Sequence, residues 1–465
     1  MDKLRIDKAA GVDGLFPRLL VETKDKICYP LYIIFRKSLS ETCIPDDWKS
    51  ANITPIYKKG SRNLAENYRP VSLTSQICKM FESILRDALV EHLEKNALIT
   101  DSQHGFRKGR SCLTNLLTFL EKVTGYVDSG SSVDAIFLDF AKAFDKVPHQ
   151  RLAAKLISHG IRGKVYAWIV EWLKGRHQRV CLRGTVSDWL IVLNGVPQGS
   201  VLGPILFLIF INDLDIDIKS FILKFADDTK IYRNMTDTSD YNELQEDINK
   251  LMEWSQDWQM LFNVDKCKVM HFGRSNGNLT YCTNGSRLDK VTEEKDLGVW
   301  ISNDLKVSQQ CVQACSKANR LLGVLNRTIK CKDENNLICF YKSLVRPHLE
   351  FCTAAWSPHY TKDKQLIEKV QRRFTRMIPR LKNVAYEDRL KDLKLWSLED
   401  RRIRADLIEV FKITHGLSSL TVDTFFVLDT ESRTRGRPWK LKKRRSNTDL
   451  RYHFFSERVI NCMVE

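Results

Sequence analysis

The sequence lacks the features that mark secreted, membrane-spanning and zinc-finger proteins. Its thirteen cysteines include no Cys-x-x-Cys pair, and Cys311 and Cys315 have no matching Cys/His pair nearby, which argues against a zinc finger or zinc knuckle. The thiols are scattered and often lie beside apolar residues, as in reduced intracellular proteins. The opening MDKLRIDKAAGVDG has no apolar core and is not a signal peptide. The longest apolar run, Val201–Ile211, contains Gly203-Pro204 and is too short to span a bilayer, so we predict an intracellular protein with no membrane partner.

The sequence contains fewer acidic than basic residues. The chain has 57 Asp and Glu against 74 Lys and Arg, which gives a net charge of +17 and a pI near 9.2. This balance predicts a polyanionic partner, most simply nucleic acid, although ribosomal, chromatin and membrane-surface proteins share it. With 465 residues, of which 43% are hydrophobic and 28% charged, the chain is globular and long enough for two or three domains.

One pair of acidic residues stands between two apolar-rich runs. Asp227 and Asp228 lie within FILKFADDTKIY, a pattern that predicts a β-hairpin with the carboxylates at its turn. Two adjacent like charges that apolar neighbours desolvate are unfavourable unless a cation neutralises them. Hard divalent ions suit such a site. In isolation, an Asp-Asp pair in a turn is usually only a solvated turn, so the interpretation needs support elsewhere.

A third carboxylate follows a buried-strand pattern. VDAIFLD ends at Asp139, and an aspartate at the C-terminal end of a core strand projects into a cleft. Helix capping is the alternative role for this residue. If its strand neighbours the aspartate hairpin, three carboxylates converge, which is enough to hold two Mg²⁺ ions about 3.5–4 Å apart.

Two glycine-containing loops are candidate phosphate or nucleotide contacts. QHGFRKGRS presents Arg107, Lys108 and Arg110 on a flexible loop that can fold over a phosphate chain, or that is an ordinary basic surface loop. GVPQGSVLGP precedes the apolar helix Ile205–Leu214 and lets the backbone approach a planar ligand or a phosphate. The alternative is a tight loop ahead of a buried helix, with Gln198 as a loop polar residue.

Helical patterns dominate the later part of the chain. Ile157–Arg179 is predicted to be a helix, and the pattern is almost wholly helical from Gln309 to about His415. The tail stretch RTRGRPWKLKKRR, Arg433–Arg445, predicts a nucleic-acid or nuclear-targeting patch, with a solvated disordered tail as the alternative. The candidate nucleic-acid contacts within it are Arg435, Arg437, Lys442, Lys443 and Arg444.

Seven motifs stand in a fixed order: ENYRPVSLTS, QHGFRKGRSC, AIFLDFAKAFDKV, NGVPQGSVLGPILFLIFINDL, KFADDTKIY, KCKVMHFG and EKDLGVWIS. Together they strongly resemble the reverse transcriptase of non-LTR (LINE-type) retrotransposons of the jockey-like kind, over most of residues 5 to about 460. The upstream endonuclease of such elements has no counterpart here, and both ends are expected to be those of a fragment or a degraded genomic copy.

The resemblance implies an α+β, right-hand polymerase fold with fingers, a palm built on an antiparallel sheet, a helical thumb and a mainly helical C-terminal region. The implied segments are an N-terminal extension leading into the fingers over 1–40, the reverse transcriptase domain with fingers and palm over 41–303, a helical thumb-like region over 304–425, and a basic, truncated C-terminal tail over 426–465.

The resemblance also assigns roles to residues. Asp139 and Asp227 would be the principal metal ligands, with Asp228 beside them, and Phe144 would be the steric gate against a ribose 2′-hydroxyl. Lys266, or Lys268, would be a proton donor near the leaving pyrophosphate, and Gly298 would belong to the primer grip. The implied nucleotide-binding set is Arg69, Arg107, Arg110, Phe140, Phe144, Gln198, Gly199 and Lys266.

The implied reaction is RNA-directed DNA synthesis, in which deoxynucleoside triphosphates (dNTPs) are added to the 3′ end of a DNA primer on an RNA template. Two Mg²⁺ ions would serve it, with Mn²⁺ as a substitute. An element-encoded RNA-binding protein or a nuclease-bearing relative could act in trans, and a nuclear location is compatible with the tail. The alternative is a catalytically inactive relic that binds RNA or RNA–DNA hybrid. Phe144 disfavours an RNA-dependent RNA polymerase, and the motif spacing disfavours a maturase.

Overall fold

The first part of the chain consists of helices and one antiparallel pair of strands. We describe the protein from a computed structural model that covers residues 1–2, 4–283, 285–330, 333–428 and 441–464. Ser111 caps the last helix of this part by accepting a hydrogen bond from the Thr114 amide. The elements are α1 (Pro17–Glu22), α2 (Lys24–Glu41), α3 (Asp46–Lys49), β1 (Ser50–Tyr57), β2 (Tyr68–Leu73), α4 (Gln76–Lys95) and α5 (Cys112–Asp128).

The middle of the chain contains the central sheet and the helices that cover it. Its elements are β3 (Ser132–Leu138), α6 (Ala143–Lys146), α7 (His149–Ser158), α8 (Gly163–Leu173), β4 (Arg176–Leu182), β5 (Thr185–Val186), β6 (Leu190–Val192), α9 (Gly203–Ile211), β7 (Phe221–Phe225), β8 (Asp228–Met235), α10 (Thr238–Asp257), β9 (Lys268–Phe272), β10 (Cys282–Thr283), β11 (Ser286–Arg287), β12 (Asp289–Lys290), β13 (Glu293–Asp296) and β14 (Val299–Ser302).

Strand β3 is the centre of the main sheet, whose order is β12-β9-β3-β8-β7. Strands β8 and β9 both pair with β3 in antiparallel register, and β7 pairs with β8 in the same sense. Successive side chains of a strand point to opposite faces. Ile136 and Leu138 accordingly lie in one hydrophobic core and Val133 and Ala135 in the other. The sheet is therefore buried on both faces, and only its ends are available for chemistry.

One sequence prediction fails where glycine interrupts a helix. The pattern predicts a helix over Ile157–Arg179, whereas in the structure α7 ends at Ser158, α8 begins at Gly163, and β4 follows from Arg176. Gly160, which lies between the two helices, has a φ of 75°, a left-handed conformation that ends an α-helix. Strand β4 then pairs with β1 in parallel, in a second sheet that also contains β2, β5 and β6.

The later part of the chain is helical, as predicted. Its elements are α11 (Ser308–Thr328), α12 (Glu334–Phe340), a π-helical turn (Tyr341–Val345), α13 (Pro347–Glu350), α14 (Thr353–Trp356), α15 (Thr361–Thr375), α16 (Tyr386–Asp392), α17 (Leu398–Thr414), α18 (Val422–Phe425), β15 (Val427–Leu428), β16 (Leu441–Lys442), α19 (Asp449–Tyr452) and α20 (Phe455–Val464). These helices share a hydrophobic core with α5 and with one face of the central sheet. The predicted α+β class with an antiparallel sheet and a helical C-terminal region is confirmed.

The C-terminal segment is folded onto the body of the protein. Phe454, Phe455, Val459 and Ile460 are buried in the core that contains α5. Arg451, also buried, forms an ion pair with Glu121 of α5. The alternative of a solvated, disordered tail, made for Arg433–Arg445, is therefore wrong for its described part, 441–445. Among the helices that the structure describes, none combines the length and the apolar character needed to cross a membrane.

Candidate active site

Strand register brings the predicted carboxylates together at one end of the central sheet. Leu138 of β3 is paired with Thr229 of β8, so the next positions outward, Asp139 and Asp228, lie side by side. Asp227 occupies the two-residue turn between β7 and β8, because Phe225 pairs with Asp228. The predicted aspartate hairpin is confirmed.

A neighbouring loop holds this aspartate turn. The Gln103 side-chain oxygen accepts hydrogen bonds from the amides of Ala226 (2.9 Å) and Gly105 (2.8 Å). Ala226 has φ +54°, which a residue with a Cβ adopts only when its surroundings hold it there. A Cβ on Gly105 would lie 2.5 Å from the Ala226 nitrogen. The QHG motif therefore clamps the turn, a role that its basic composition did not predict.

Two of the three aspartates open onto a cleft of about 570 Å³ between the central sheet and the β13–β14 hairpin. Asp139 and Asp228 line it together with Lys266 and with Gly298, which lies in the turn of that hairpin. Lys268 and Lys295 add positive charge to the same cleft. The structure thus brings together four of the residues that the sequence motifs single out.

Burial and mutual repulsion raise the pKa values of the paired aspartates. For Asp228, burial comes first, followed by the charges of Asp227, Asp296 and Asp139, and together they raise the pKa to about 6. Burial also raises the pKa of Asp227, with a further contribution from the charge of Asp139. Clustered carboxylates of this kind bind hard divalent cations, whose charge removes the repulsion.

Lys266 neutralises Asp139 in this structure. Its Nζ donates to Asp139 Oδ2 at 2.5 Å, and both side chains are partly exposed. The pairing supports the predicted location of Lys266 beside the aspartates. In the part of the chain that the structure describes, the ligand atoms of the three aspartates do not all lie within 4.8 Å of one another. Coordination of one ion by the whole set would therefore require these side chains to move closer together.

A buried ion pair connects the aspartate hairpin to the hairpin on the other side of the cleft. Lys230, two residues after Asp228, lies against Asp296, the last residue of β13. Both side chains are buried, and the Lys230 Nζ also lies 4.7 Å from the centre of the Phe119 ring. Desolvated charges stay ionised only when paired. This pair therefore fixes β13, and with it the Gly298 turn, relative to the aspartates.

Phe144 and the GVPQG loop are in mutual contact. The Val196 amide donates to the Phe144 carbonyl at 2.7 Å. The Phe144 ring stacks on Phe207 with centroids 4.4 Å apart and is half-buried. The Gln198 side chain donates to Asp145 at 2.9 Å.

The backbone of Gly199 lies in close contact with strand β2. Its φ is +115°, and a Cβ there would lie 2.6 Å from the Ser72 carbonyl oxygen. The Ser72 amide in turn donates to the Gln198 carbonyl at 2.7 Å. The loop is therefore held against β2, the strand that carries Arg69.

The basic residues are distributed differently from the prediction. Arg107 is paired with Glu94 and Arg110 with Asp101, and both guanidinium side chains are only 11% exposed. In this conformation they support the loop and are not presented to the cleft. Arg69, by contrast, lies close enough to the aspartates for its charge to lower the pKa of Asp227.

Lys58 was missed by the sequence analysis. Its charge also lowers the pKa of Asp227. It follows β1 directly, and its amide donates to the Asn67 carbonyl at 2.8 Å across the β1–β2 ribbon. The basic turn Lys58-Lys59-Gly60 was the available signal, since two lysines in a turn between strands are presented to solvent or to an anion.

Phe140 has a packing role in this structure. Its side chain is 3% exposed and stacks on Phe262 with centroids 4.1 Å apart. The ring therefore offers no surface to a nucleotide in this structure, and the nucleotide-binding role of this residue stays a prediction. Immediately after Asp139, it anchors the end of β3 to the 260–263 segment, where the Asn263 amide donates to the Asp139 carbonyl.

The predicted basic patch is divided. Arg435 and Arg437 lie outside the described residues. Lys442 is exposed on β16. Lys443 binds Asn461 and lies over the Tyr452 ring, and an Arg444 guanidinium nitrogen lies 3.7 Å from Glu121. Lys443 and Arg444 thus stabilise the C-terminal segment.

Comparisons with known proteins agree with the motifs. A family model described as "Reverse transcriptase (RNA-dependent DNA polymerase)" matches residues 56–322. The RNA-directed DNA polymerase from mobile element jockey of Drosophila melanogaster is 25% identical over 453 residues, covering 93% of this chain and 49% of the relative. The probable RNA-directed DNA polymerase from transposon X-element of the same species is 26% identical over 385 residues, covering 80% of this chain and 42% of the relative.

A solved telomerase structure from Candida tropicalis, in complex with the TWJ fragment of telomeric RNA, has a TM-score of 0.44 and 15% identity over 76% of this chain and 57% of that chain. The present chain spans about half the length of the curated relatives named above. The family match covers more than half of the 465 residues and includes all three aspartates. The chain therefore belongs to the reverse transcriptase (RNA-dependent DNA polymerase) family, as its motifs predicted.

Proposed function

We propose that this chain is the RNA-directed DNA polymerase of a non-LTR retrotransposon, which extends a DNA primer with dNTPs on an RNA template. The observation that carries the proposal is the β3–β8 register, which places Asp139 beside Asp228 and next to the Asp227 turn. A structural basic protein has no use for three neighbouring carboxylates at the end of a core strand, where the charge of Asp139 raises the pKa values of both Asp227 and Asp228.

Reverse transcriptases generally use divalent metal ions, and here we propose Mg²⁺, with Mn²⁺ as a substitute. The donor set fits, because it consists of carboxylate oxygens whose repulsion an ion would relieve. When bound, a pair of such ions supplies charge neutralisation and activation of the primer 3′-hydroxyl. Asp139 and Asp227 would be the principal ligands, with Asp228 beside them.

The chain's own side chains would position the substrates. Arg69 and Lys58 would contact the triphosphate, since both act electrostatically on Asp227. Lys266 would donate a proton to the leaving pyrophosphate once it separates from Asp139. Gln198 and Gly199 would line the nucleotide and template base, and the Gly298 turn would contact the primer. Phosphoryl transfer depends mainly on positioning and charge stabilisation, which these groups provide.

The larger segments would then form a right hand. Residues 41–303 would contain the fingers, which include the β1–β2 ribbon, and the palm, which is the central sheet. The helices from 304 to 425 would form the thumb. RNA template, DNA primer and dNTPs are the proposed partners, and a nuclease-bearing relative or an RNA-binding protein would act in trans.

Primer extension on poly(rA)/oligo(dT) with Mg²⁺ tests the proposal directly. We expect extension by the wild type and none by Asp227→Ala/Asp228→Ala. Asp257→Ala, an exposed aspartate of α10, is the matched control and should remain active. Hybrid binding without extension in the wild type would instead indicate the inactive relic.

Substrate choice tests the proposed gate. Shortening the half-buried Phe144 side chain with Phe144→Val should raise the use of ribonucleotides relative to dNTPs, because space opens for the 2′-hydroxyl. Phe207→Leu, which changes the ring stacked on Phe144, is the control for loosened packing. An unchanged ratio in Phe144→Val with preserved activity would contradict the gate role.

A further inference from the structure

A second cluster of potential metal ligands lines a different cavity from the aspartates. His359, in the loop between α14 and α15, and His453, just after α19, both approach Asp449 at the start of α19. The His359 Nε2 lies 3.1 Å from Asp449 Oδ2, and the His453 Nε2 lies 3.3 Å from Oδ1. One ligand atom from each of the three side chains lies within 4.8 Å of the others.

These separations match a small coordination sphere. Ligands at 2.0–2.1 Å from a tetrahedral ion are roughly 3.3 Å apart, the length of the tetrahedron's edge. The His359 Nε2 lies 3.1 Å from Asp449 Oδ2 and the His453 Nε2 lies 3.3 Å from Asp449 Oδ1, so each nitrogen is at about that distance from a different carboxylate oxygen. The imidazole rings are parallel within 4°, with centroids 4.3 Å apart, so one ring must turn before the in-plane lone pairs of both nitrogens can point at one ion.

The surroundings support and orient the cluster. Asp449 and His453 stand four residues apart on one face of a helical turn. The Tyr360 hydroxyl donates to Asp449 Oδ2 at 3.3 Å, the kind of outer hydrogen bond that orients a ligating carboxylate. The three side chains line a cavity of about 850 Å³, which leaves room for water as a further ligand.

The chemistry of the donors selects the class of ion. Two imidazoles and one carboxylate suit Zn²⁺ and other late first-row ions, whereas Mg²⁺ prefers oxygen ligands alone.

We propose that His359, Asp449 and His453 form a divalent transition-metal site of the Zn²⁺ type. The ion would join the 357–361 loop to the C-terminal segment, which comes from a stretch about 90 residues later. Binding would therefore hold α19 and α20 on the helical region. This proposal does not depend on the polymerase reaction.

Cobalt titration tests the site in the full-length chain. The background is Asp227→Ala/Asp228→Ala, which weakens metal binding by the aspartate cleft. After chelator treatment, we expect one equivalent of Co²⁺ to give visible bands of a four- or five-coordinate ion, and one equivalent of Zn²⁺ to displace it. Strong near-ultraviolet charge-transfer absorption would instead reveal thiolate ligands.

Three substitutions and one control identify the ligands. His359→Ala, His453→Ala and Asp449→Asn should each weaken binding at least tenfold, whereas His415→Ala, an exposed histidine of the same region, should not. Zn²⁺ should also raise the Tm of the unsubstituted background but not that of the three variants. Equal Tm values in EDTA would show that the variants fold. Absence of stoichiometric binding, or binding that survives all three substitutions, would overturn the proposal.

Discussion

At Asp228, burial and neighbouring carboxylates raise the pKa to about 6, so this side chain changes charge close to neutral pH. Its folded-state pKa lies above the ordinary value of 3.8, so the protonated form is favoured by folding. That stabilisation is complete below about pH 4 and is lost as the pH rises through 6. Metal binding, which needs the ionised form, should increase over the same interval.

We therefore expect Asp228→Asn to raise the Tm above pH 6 in EDTA and to leave it unchanged near pH 4. Tm measured from pH 4 to 8 for both proteins checks this. Asp240→Asn provides a control of opposite sign. Burial raises the pKa of Asp240, but hydrogen bonds from Thr236 and Arg233 outweigh it and lower that pKa to about 2. This substitution should lower the Tm at pH 7, with the loss vanishing as the pH falls towards 2. A pH-independent effect of Asp228→Asn would contradict the assigned pKa.

The Lys266–Asp139 ion pair competes with metal binding. Lys266→Ala should tighten Mn²⁺ binding by about two- to fivefold, because a partly exposed ion pair is worth up to about 1 kcal/mol. The same substitution should slow primer extension if Lys266 is the proton donor. Mn²⁺ titration followed by electron paramagnetic resonance measures the first effect, and single-turnover extension the second.

Lys268→Ala is the matched control for Lys266→Ala. The Lys268 Nζ donates to the Asp289 carboxylate and to the Asp265 carbonyl, and not to the carboxylates of the proposed metal site. It should leave Mn²⁺ affinity unchanged. A larger loss of extension in Lys268→Ala than in Lys266→Ala would transfer the proton-donor role to Lys268.

At the scale of elements, the clamp between the QHG loop and the aspartate turn has little space to adjust. Gly105→Ala would place a Cβ 2.5 Å from the Ala226 nitrogen, so the turn must shift. We expect extension to fall more than tenfold, because aspartates displaced by even 1 Å lose catalytic geometry. Gly125→Ala, inside α5 with open space around it, should be neutral or stabilising by about 0.5–1 kcal/mol. Full activity of Gly105→Ala would show that the clamp is dispensable.

The buried Lys230–Asp296 pair should behave differently from an exposed one. Asp296→Ala leaves a buried ammonium group without a partner, and we expect a loss of about 3–5 kcal/mol in the free energy of unfolding. Asp289→Ala, which breaks the exposed pair with Lys268, should cost less than about 1 kcal/mol. Urea denaturation measures both.

A double substitution separates stability from positioning at this pair. Lys230→Met/Asp296→Leu removes both charges and should recover most of the stability. Extension should stay low, because the Gly298 turn is no longer tied to the aspartates. Recovery of activity together with stability would show that the ion pair has no positioning role.

At the scale of the whole molecule, the C-terminal segment is part of the core. Phe455→Ala should cost about 3–5 kcal/mol, since the ring is fully buried. Arg445→Ala, at an exposed position of the same segment, should change stability by less than about 0.5 kcal/mol. Denaturant unfolding distinguishes the two, and deletion of residues 441–465 should yield insoluble protein. A soluble, active deletion would show that the segment is accessory.

The sequence predicted those parts of the site that local patterns determine. Asp139 follows a strand and Asp227 a hairpin run, so their positions at element ends are visible in the pattern. Which arginine faces the aspartates depends instead on tertiary partners: Glu94 and Asp101 engage Arg107 and Arg110, and neither acid adjoins them in sequence. The burial of Phe140 likewise depends on Phe262, more than 120 residues later.

The contact between Arg451 and Glu121 has a consequence for protein synthesis. The two residues are 330 positions apart, and translation at about 5–20 residues per second takes about 15–70 s to cover that distance. During this interval a nascent chain exposes the apolar surface of α5 that α19 and α20 later cover. Chaperone demand should accordingly be high until the ribosome has passed residue 460, and slow codons late in the reading frame should lower the yield of folded enzyme.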